Sequence, residues 1–176
     1  MRRADLEHVI RAAAAITGED ELVVVGSQAI LGPHPDAPAS LTRSVEADVY
    51  PRHRPDLADL IDGAIGEDSM FHETFGYYAQ GVGPETAICP AGWEERLVPV
   101  RNENTRFATG LCLETHDLIV SKCVAGRDKD VAFLRAAAQA GLVVESTLLE
   151  RLARTSVGLE MRRATEARIR AAFASL

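Results

Sequence analysis

Cysteine, lysine and aromatic residues are all scarce in this chain of 176 residues. Three cysteines (Cys89, Cys112 and Cys123) fit neither an even-numbered disulfide framework nor a metal-ligand spacing, so a reducing, cytoplasmic location is expected. Phe, Trp and Tyr together make up only 5% of residues, which argues against base stacking on an aromatic platform. Of the 19 basic residues only two are lysine, Lys122 and Lys129, and they lie seven positions apart. No apolar run approaches the ~18 residues of a membrane span. The Arg2-Arg3 start is followed by an amphipathic pattern, which reads as a helix rather than a signal peptide. Net charge is −7, which disfavours non-specific nucleic-acid binding by bulk charge. The charge is uneven: residues 1–150 carry −11 and residues 151–176 carry +4. At 47% hydrophobic and 26% charged, the composition is that of a folded globular protein with a sizeable core.

Hydrophobic periodicity sets the expected elements. Leu6, Val9, Ile10, Ala13 and Ala14 form one apolar helical face, closed by Gly18. Leu22 to Val25 reads as a buried strand, followed at once by Gly26-Ser27 and a short helical turn to Leu31. A Pro-rich loop leads to a second strand, Val45 to Tyr50, then to a helix over 56–65 with Leu57, Leu60, Ile61 and Ile65 inward. Strands are expected near 77–82, 86–89, 96–100 and 107–113. A single long helix is expected over 117–140, and further helices over 146–153 and 158–173. This order predicts an α+β fold, with a mixed sheet and a helical C-terminal part. Residues 1–115 are assigned to the α/β core and 116–176 to the helical region packed on it, as one compact unit.

Three features carry chemistry. Gly26 permits a tight turn after the strand, and Ser27 would then stand at a helix start, where free amides attract phosphate. Alone, a Gly-Ser pair also fits an ordinary strand-to-helix turn. Glu46 and Asp48 are two apart on a strand, so they share a face, with Cα atoms about 6.5–7 Å apart. Two such carboxylates suit a divalent cation that bridges nucleotide phosphates, although a solvated strand face would look the same. On a continuous helix Lys129 falls within about 20° of Lys122 and Gly126 about 40° from it, opening room for a phosphate. A charged face with an Arg127–Asp130 pair is the plainer alternative.

The strand–Gly-Ser–loop–strand with acid-x-acid resembles the minimal nucleotidyltransferase fold of the DNA polymerase β-like superfamily. The later Lys122 and Asp130 resemble the added motifs of its AbiEii-type toxin branch. The stretch Gly76 to Thr86, with Asp117-Leu118-Ile119-x-x-Lys122 and Gly126-Arg127-x-Lys129-Asp130, resembles the DUF6036 nucleotidyltransferase-like group. The resemblance implies an enzyme that binds an NTP and Mg²⁺ and transfers a nucleotidyl group to a hydroxyl acceptor, RNA or protein. It implies catalytic roles for Glu46, Asp48, Lys122 and Asp130, with Mg²⁺ on Glu46 and Asp48. Nucleotide phosphates would sit on Gly26, Ser27, Lys122 and Arg127. A toxin role with a cognate antitoxin would follow.

Two departures keep a second reading open. Glu46 stands where the superfamily usually has Asp. A third carboxylate on a later strand is missing, with Glu85 and Glu114 the nearest candidates. The alternative is a catalytically degenerate module that binds a nucleotide or a partner, acting as an antitoxin or regulator. A third reading uses Arg162, Arg163, Arg168 and Arg170 as an interaction surface that could touch RNA. The histidines lack zinc-type spacing, and His8 is expected at the surface. One of Tyr77 and Tyr78 should face the core, and the other could line a pocket.

Overall fold

A computed structural model describes residues 1–174. The last two residues of the expected C-terminal region, 175–176, lie outside the described residues. The five strands are β1 (Glu21–Val25), β2 (Glu46–Pro51), β3 (Tyr78–Gly81), β4 (Val98–Val100) and β5 (Thr109–Cys112). They form one mixed sheet in the order β3-β2-β1-β5-β4. β1 is central, antiparallel to β2 and parallel to β5. β2 runs parallel to β3 and β4 antiparallel to β5.

The apolar run of β1 explains its central place. Leu22, Val23, Val24 and Val25 are all buried, as expected of a strand covered on both faces. The first helix, α1 (Arg3–Thr17), packs Leu6, Val9, Ile10 and Ala13 against the sheet and ends at Gly18. Burying each of the larger three contributes about 1.5–3 kcal/mol. Next come α2 (Ala58–Ile65) and α3 (Met70–Phe75), which make the crossover from β2 to the parallel strand β3. The inward face of α2 uses Ala58, Ile61 and Ile65, while Leu60, expected inside, is half exposed.

Four helices complete the described chain: α4 (Thr115–Ala125), α5 (Asp128–Gln139), α6 (Glu145–Ala153) and α7 (Leu159–Phe173). They pack on one another, and α4 also touches the turn after β1. The single helix expected over 117–140 is therefore two. Gly126 adopts a left-handed conformation (φ 67°), ends α4 through a bond to Lys122 O, and redirects the chain. The guanidinium of Arg168 fills the space where a Cβ on Gly126 would sit, and it donates to Cys123 O at 2.9 Å. The left-handed backbone is what favours glycine there.

Residues 87–89, expected as part of a strand, lie outside the sheet; the 3₁₀ turn Pro84–Thr86 precedes them and the chain then passes into another at Trp93–Arg96. Buried Asp117 anchors this region to the helices. Its carboxylate meets Arg96 at 2.7 Å and Arg151 at 3.7 Å. His8, expected outside, is half-buried beside Phe71 and Phe75, with its Nδ1 2.9 Å from the Tyr77 hydroxyl. Burial holds its pKa below the usual imidazole value.

Candidate functional site

The strand register builds the acidic side of the site. Asp48 lies opposite Val25 on one side and Gln80 on the other, so it sits beside the turn that leaves β1. That turn begins with Gly26 at φ 64°, ψ −169°, a backbone state that essentially only glycine adopts. A Cβ on Gly26 would also overlap Asp48 Oδ2. The close approach of this backbone to the carboxylate thus depends on glycine. Ser27 opens the expected short helical turn, a five-residue 3₁₀ turn Ser27–Leu31, but Gly26 and not Ser27 holds its cap position.

The alternation on β2 holds for the acids. Ala47 and Val49 are fully buried, while Glu46 and Asp48 both reach the cleft. Val45, the first residue of the expected strand, lies just before β2 and is exposed. Tyr78, opposite Glu46 on β3, donates its hydroxyl to Glu46 Oε2 at 3.2 Å. Burial, with help from Glu46, raises that phenol to about 12, so it remains a donor. Asp48 is pushed up to about 7. Burial is the main cause, followed by hydrogen bonding and charge from Glu46, against the pull of Lys122 and Lys129.

The basic side comes from the helices. Lys122, on the last turn of α4, is almost wholly buried. Its Nζ lies 3.4 Å from Asp130 Oδ1 and 4.8 Å from the centre of the Phe133 ring. Burial lowers its pKa, and Asp130 opposes that shift. Asp130 is fully buried and also receives Arg127 Nε at 2.7 Å and Nη2 at 3.3 Å. Burial would raise this carboxyl, but the Arg127 bond and the Lys122 charge outweigh it and hold the pKa below the usual carboxylate value. At the start of α5 the Arg127 backbone N–H also donates to Asp130 Oδ2 at 3.3 Å.

These elements enclose one cleft of about 650 Å³. Gly26, Ser27, Glu46, Asp48, Lys122 and Arg127 all line it. Asp130 lines an adjoining lobe of about 530 Å³, which shares Ser27, Ser44, Lys122 and Lys129 with the first. Gly26, Ser27, Glu46, Asp48, Lys122, Arg127 and Asp130 thus line one two-lobed cavity. Lys129 reaches it from the second helix, not by lying one helical face along from Lys122.

The paired carboxylates fit a divalent cation. Two acids this close repel as anions, which adds to burial in raising the affinity of Asp48 for a proton. A cation at the same oxygens would take the proton's place. The described residues hold no group of three ligating side chains, so water or phosphate oxygens would complete the coordination of Mg²⁺. Of the two candidate third acids, Glu85 lines the first lobe, beyond β3. Glu114 instead caps α4, accepting the His116 and Asp117 amides. Gln80 occupies the strand position next to Asp48.

Sequence reasoning missed Arg43, Ser44, Gln80 and Phe133. Gln80 was readable only from the register between β2 and β3. Arg43 and Ser44 sit in a Pro-rich loop with no period. The basic tail reads differently in the structure. Arg162 donates to Leu152, Ala153 and Thr155 carbonyls, Arg168 caps α4, and Arg170 pairs with Glu166. Three of the four arginines hold helices together. No helix among the described residues is long and apolar enough to cross a membrane.

Comparison with curated proteins and with solved structures returns no match. Comparison with protein families matches residues 4–174 to "Nucleotidyltransferase of unknown function (DUF6036)". With nearly its whole length matched, and with a mixed sheet that carries the acid pair beside a glycine-serine turn, the chain belongs to the DUF6036 family of nucleotidyltransferase-like proteins.

Proposed function

We propose that this protein transfers a nucleotidyl group from an NTP to a hydroxyl acceptor on RNA or protein. The observation that supports this most directly is the convergence of Ser27, Glu46, Asp48, Lys122 and Lys129 on one cleft. Glu46 and Asp48 would hold Mg²⁺, which supplies charge neutralisation at the phosphates when bound. The Gly26-Ser27 turn brings backbone close to the phosphate chain. Asp130 holds the Lys122 ammonium in place at the back of the cleft, and Arg127 fixes Asp130. Tyr78 orients Glu46 through its hydroxyl. The acceptor oxygen attacks the α-phosphorus, the bond to the bridging oxygen breaks, pyrophosphate leaves, and the acceptor proton passes to water. In this reading residues 1–115 supply Glu46 and Asp48, and 116–176 supply Lys122, Arg127 and Asp130. A toxin acting in the cytoplasm on a cellular RNA or protein, and held in check by a cognate antitoxin, fits this chemistry.

Incubation of the protein with α-labelled NTPs, Mg²⁺ and total cellular RNA or protein tests the proposal. Labelling of a discrete acceptor, lost at least about 100-fold in Glu46→Gln and Asp48→Asn, is the expected result. Equal labelling by wild type and both variants would overturn it.

One observation favours a second reading, a nucleotide-binding module without transferase activity. Gln80, a neutral amide, stands on the strand next to Asp48, and no third carboxylate joins the pair on that strand. Calorimetric binding of an NTP with no labelled acceptor in any fraction would select this reading.

A further inference from the structure

The cations around the two lobes are not equivalent. Lys122 and Arg127 share the single carboxylate of Asp130. Lys122 is nearly buried and stacked on Phe133, so its ammonium is already committed. Arg43 and Lys129 differ. Both are exposed, and neither makes a side-chain hydrogen bond or ion pair with any described residue. Arg43 comes from the loop before β2, and Lys129 from the first turn of α5. They line the second lobe together. The chain as a whole carries −7, so two unpaired cations around one lobe make it a local exception.

The two lobes also differ in their anions. Glu46, Asp48 and Glu85 all line the first lobe. Among the described residues the only carboxylate lining the second is Asp130, which two cations already neutralise. A polyanionic chain entering the cleft is therefore repelled on one side and attracted on the other. Ser27, Ser44, Lys122 and Lys129 mark the junction between the lobes. The lining of the first lobe also includes the apolar Val82, Ile88, Leu118 and Met161.

Building on the nucleotidyl-transfer reading, we infer that the second lobe binds the β- and γ-phosphates of the nucleotide, and that Arg43 and Lys129 are the residues that hold them. The α-phosphate then lies at the junction beside Asp48, and the nucleoside lies against the apolar residues of the first lobe. When the bond from the α-phosphorus to the bridging oxygen breaks, its electron pair stays with the departing pyrophosphate. The charge that develops there faces Arg43 and Lys129. Lys122, assigned to the triphosphate from the sequence, instead acts as a positioning residue through Asp130 and Phe133.

Calorimetry on the full chain with Mg²⁺ tests this assignment without any need for turnover. The probes are the α,β-methylene analogues of the four NTPs and the corresponding nucleoside monophosphates. Loss of a charge-assisted hydrogen bond weakens binding by about 10-fold or more. Arg43→Gln and Lys129→Gln should each weaken triphosphate binding by about that factor, and the double variant more. Monophosphate binding should change less than about 2-fold by the same reasoning. Arg43→Lys should recover part of the affinity, and Arg163→Gln, on the far helix α7, should bind like wild type. Equal triphosphate binding by wild type and the double variant would overturn the assignment while leaving the transferase reading intact. So would a monophosphate affinity that falls as far as the triphosphate affinity. No binding of any analogue to wild type would remove the transferase reading, and this inference with it. Both side chains are exposed and unbonded, so unchanged thermal melting should accompany each variant.

Discussion

Asp48 and Asp130 face the same cavity system from opposite electrostatic circumstances. Asp130 is fully buried, yet Arg127 and Lys122 hold its pKa low, so it is an anion whose neutralisation the chain itself provides. Asp48 is less buried, yet its nearest ionisable neighbour is another acid, and its pKa rises to about 7. Burial pushes both carboxyls up; the neighbouring charges oppose that push at Asp130, and Glu46 reinforces it at Asp48. Asp130 is built to stay as it is. Asp48 meets another acid instead.

The largest effect should come from breaking the satisfied site. Asp130→Ala strands the Lys122 ammonium in the interior and should cost about 3–5 kcal/mol in urea denaturation. Asp48→Asn should have the opposite sign. Folded Asp48 keeps its proton up to about pH 7, whereas an unfolded Asp loses it near 3.8. Without divalent cation, wild-type stability should therefore fall as pH rises from about 4 through about 7. Asp48→Asn should remove that fall and raise stability by roughly 1–3 kcal/mol at pH 8, while abolishing transfer. Melting curves at pH 4.5 and pH 8 would settle the sign. A wild type that gains stability over this range through Asp48 would contradict the comparison.

Gly26→Ala joins the two effects. The forbidden backbone state and the collision with Asp48 should cost about 1–3 kcal/mol. The displaced carboxylate should also weaken Mg²⁺ binding, read by calorimetry with the metal alone. The smallest effect belongs outside both sites. Arg163→Gln should stay within about 0.5 kcal/mol of wild type, in contrast to Arg162→Gln, which removes the guanidinium bonds to the Leu152, Ala153 and Thr155 carbonyls.

The sheet side of the site was readable because a strand's period is two. Alternation alone put Glu46 and Asp48 on one face, and a β-branched run alone marked β1. The helical side was readable in its residues but not in its geometry. Lys122 and Lys129 do share a cavity, but Gly126 breaks the helix that was meant to align them. Local pattern gives no sign of where a third segment will pack, and Arg168 packs beside that glycine. The same limit hid the use of Arg162 and Arg168. Their targets are carbonyls at helix ends, and a carbonyl is invisible in a residue pattern. Arg43 escaped notice because its loop has no period, and Gln80 because its meaning depends on pairing across two strands.

The contact of Arg168 with Cys123 O ties the far end of the chain to the helix that carries Lys122. A protein shortened within α7 would retain each cleft side chain yet lose the brace on that helix terminus. Proteolysis there, or a fusion that prises α7 away, would blunt the ammonium's aim from a distance.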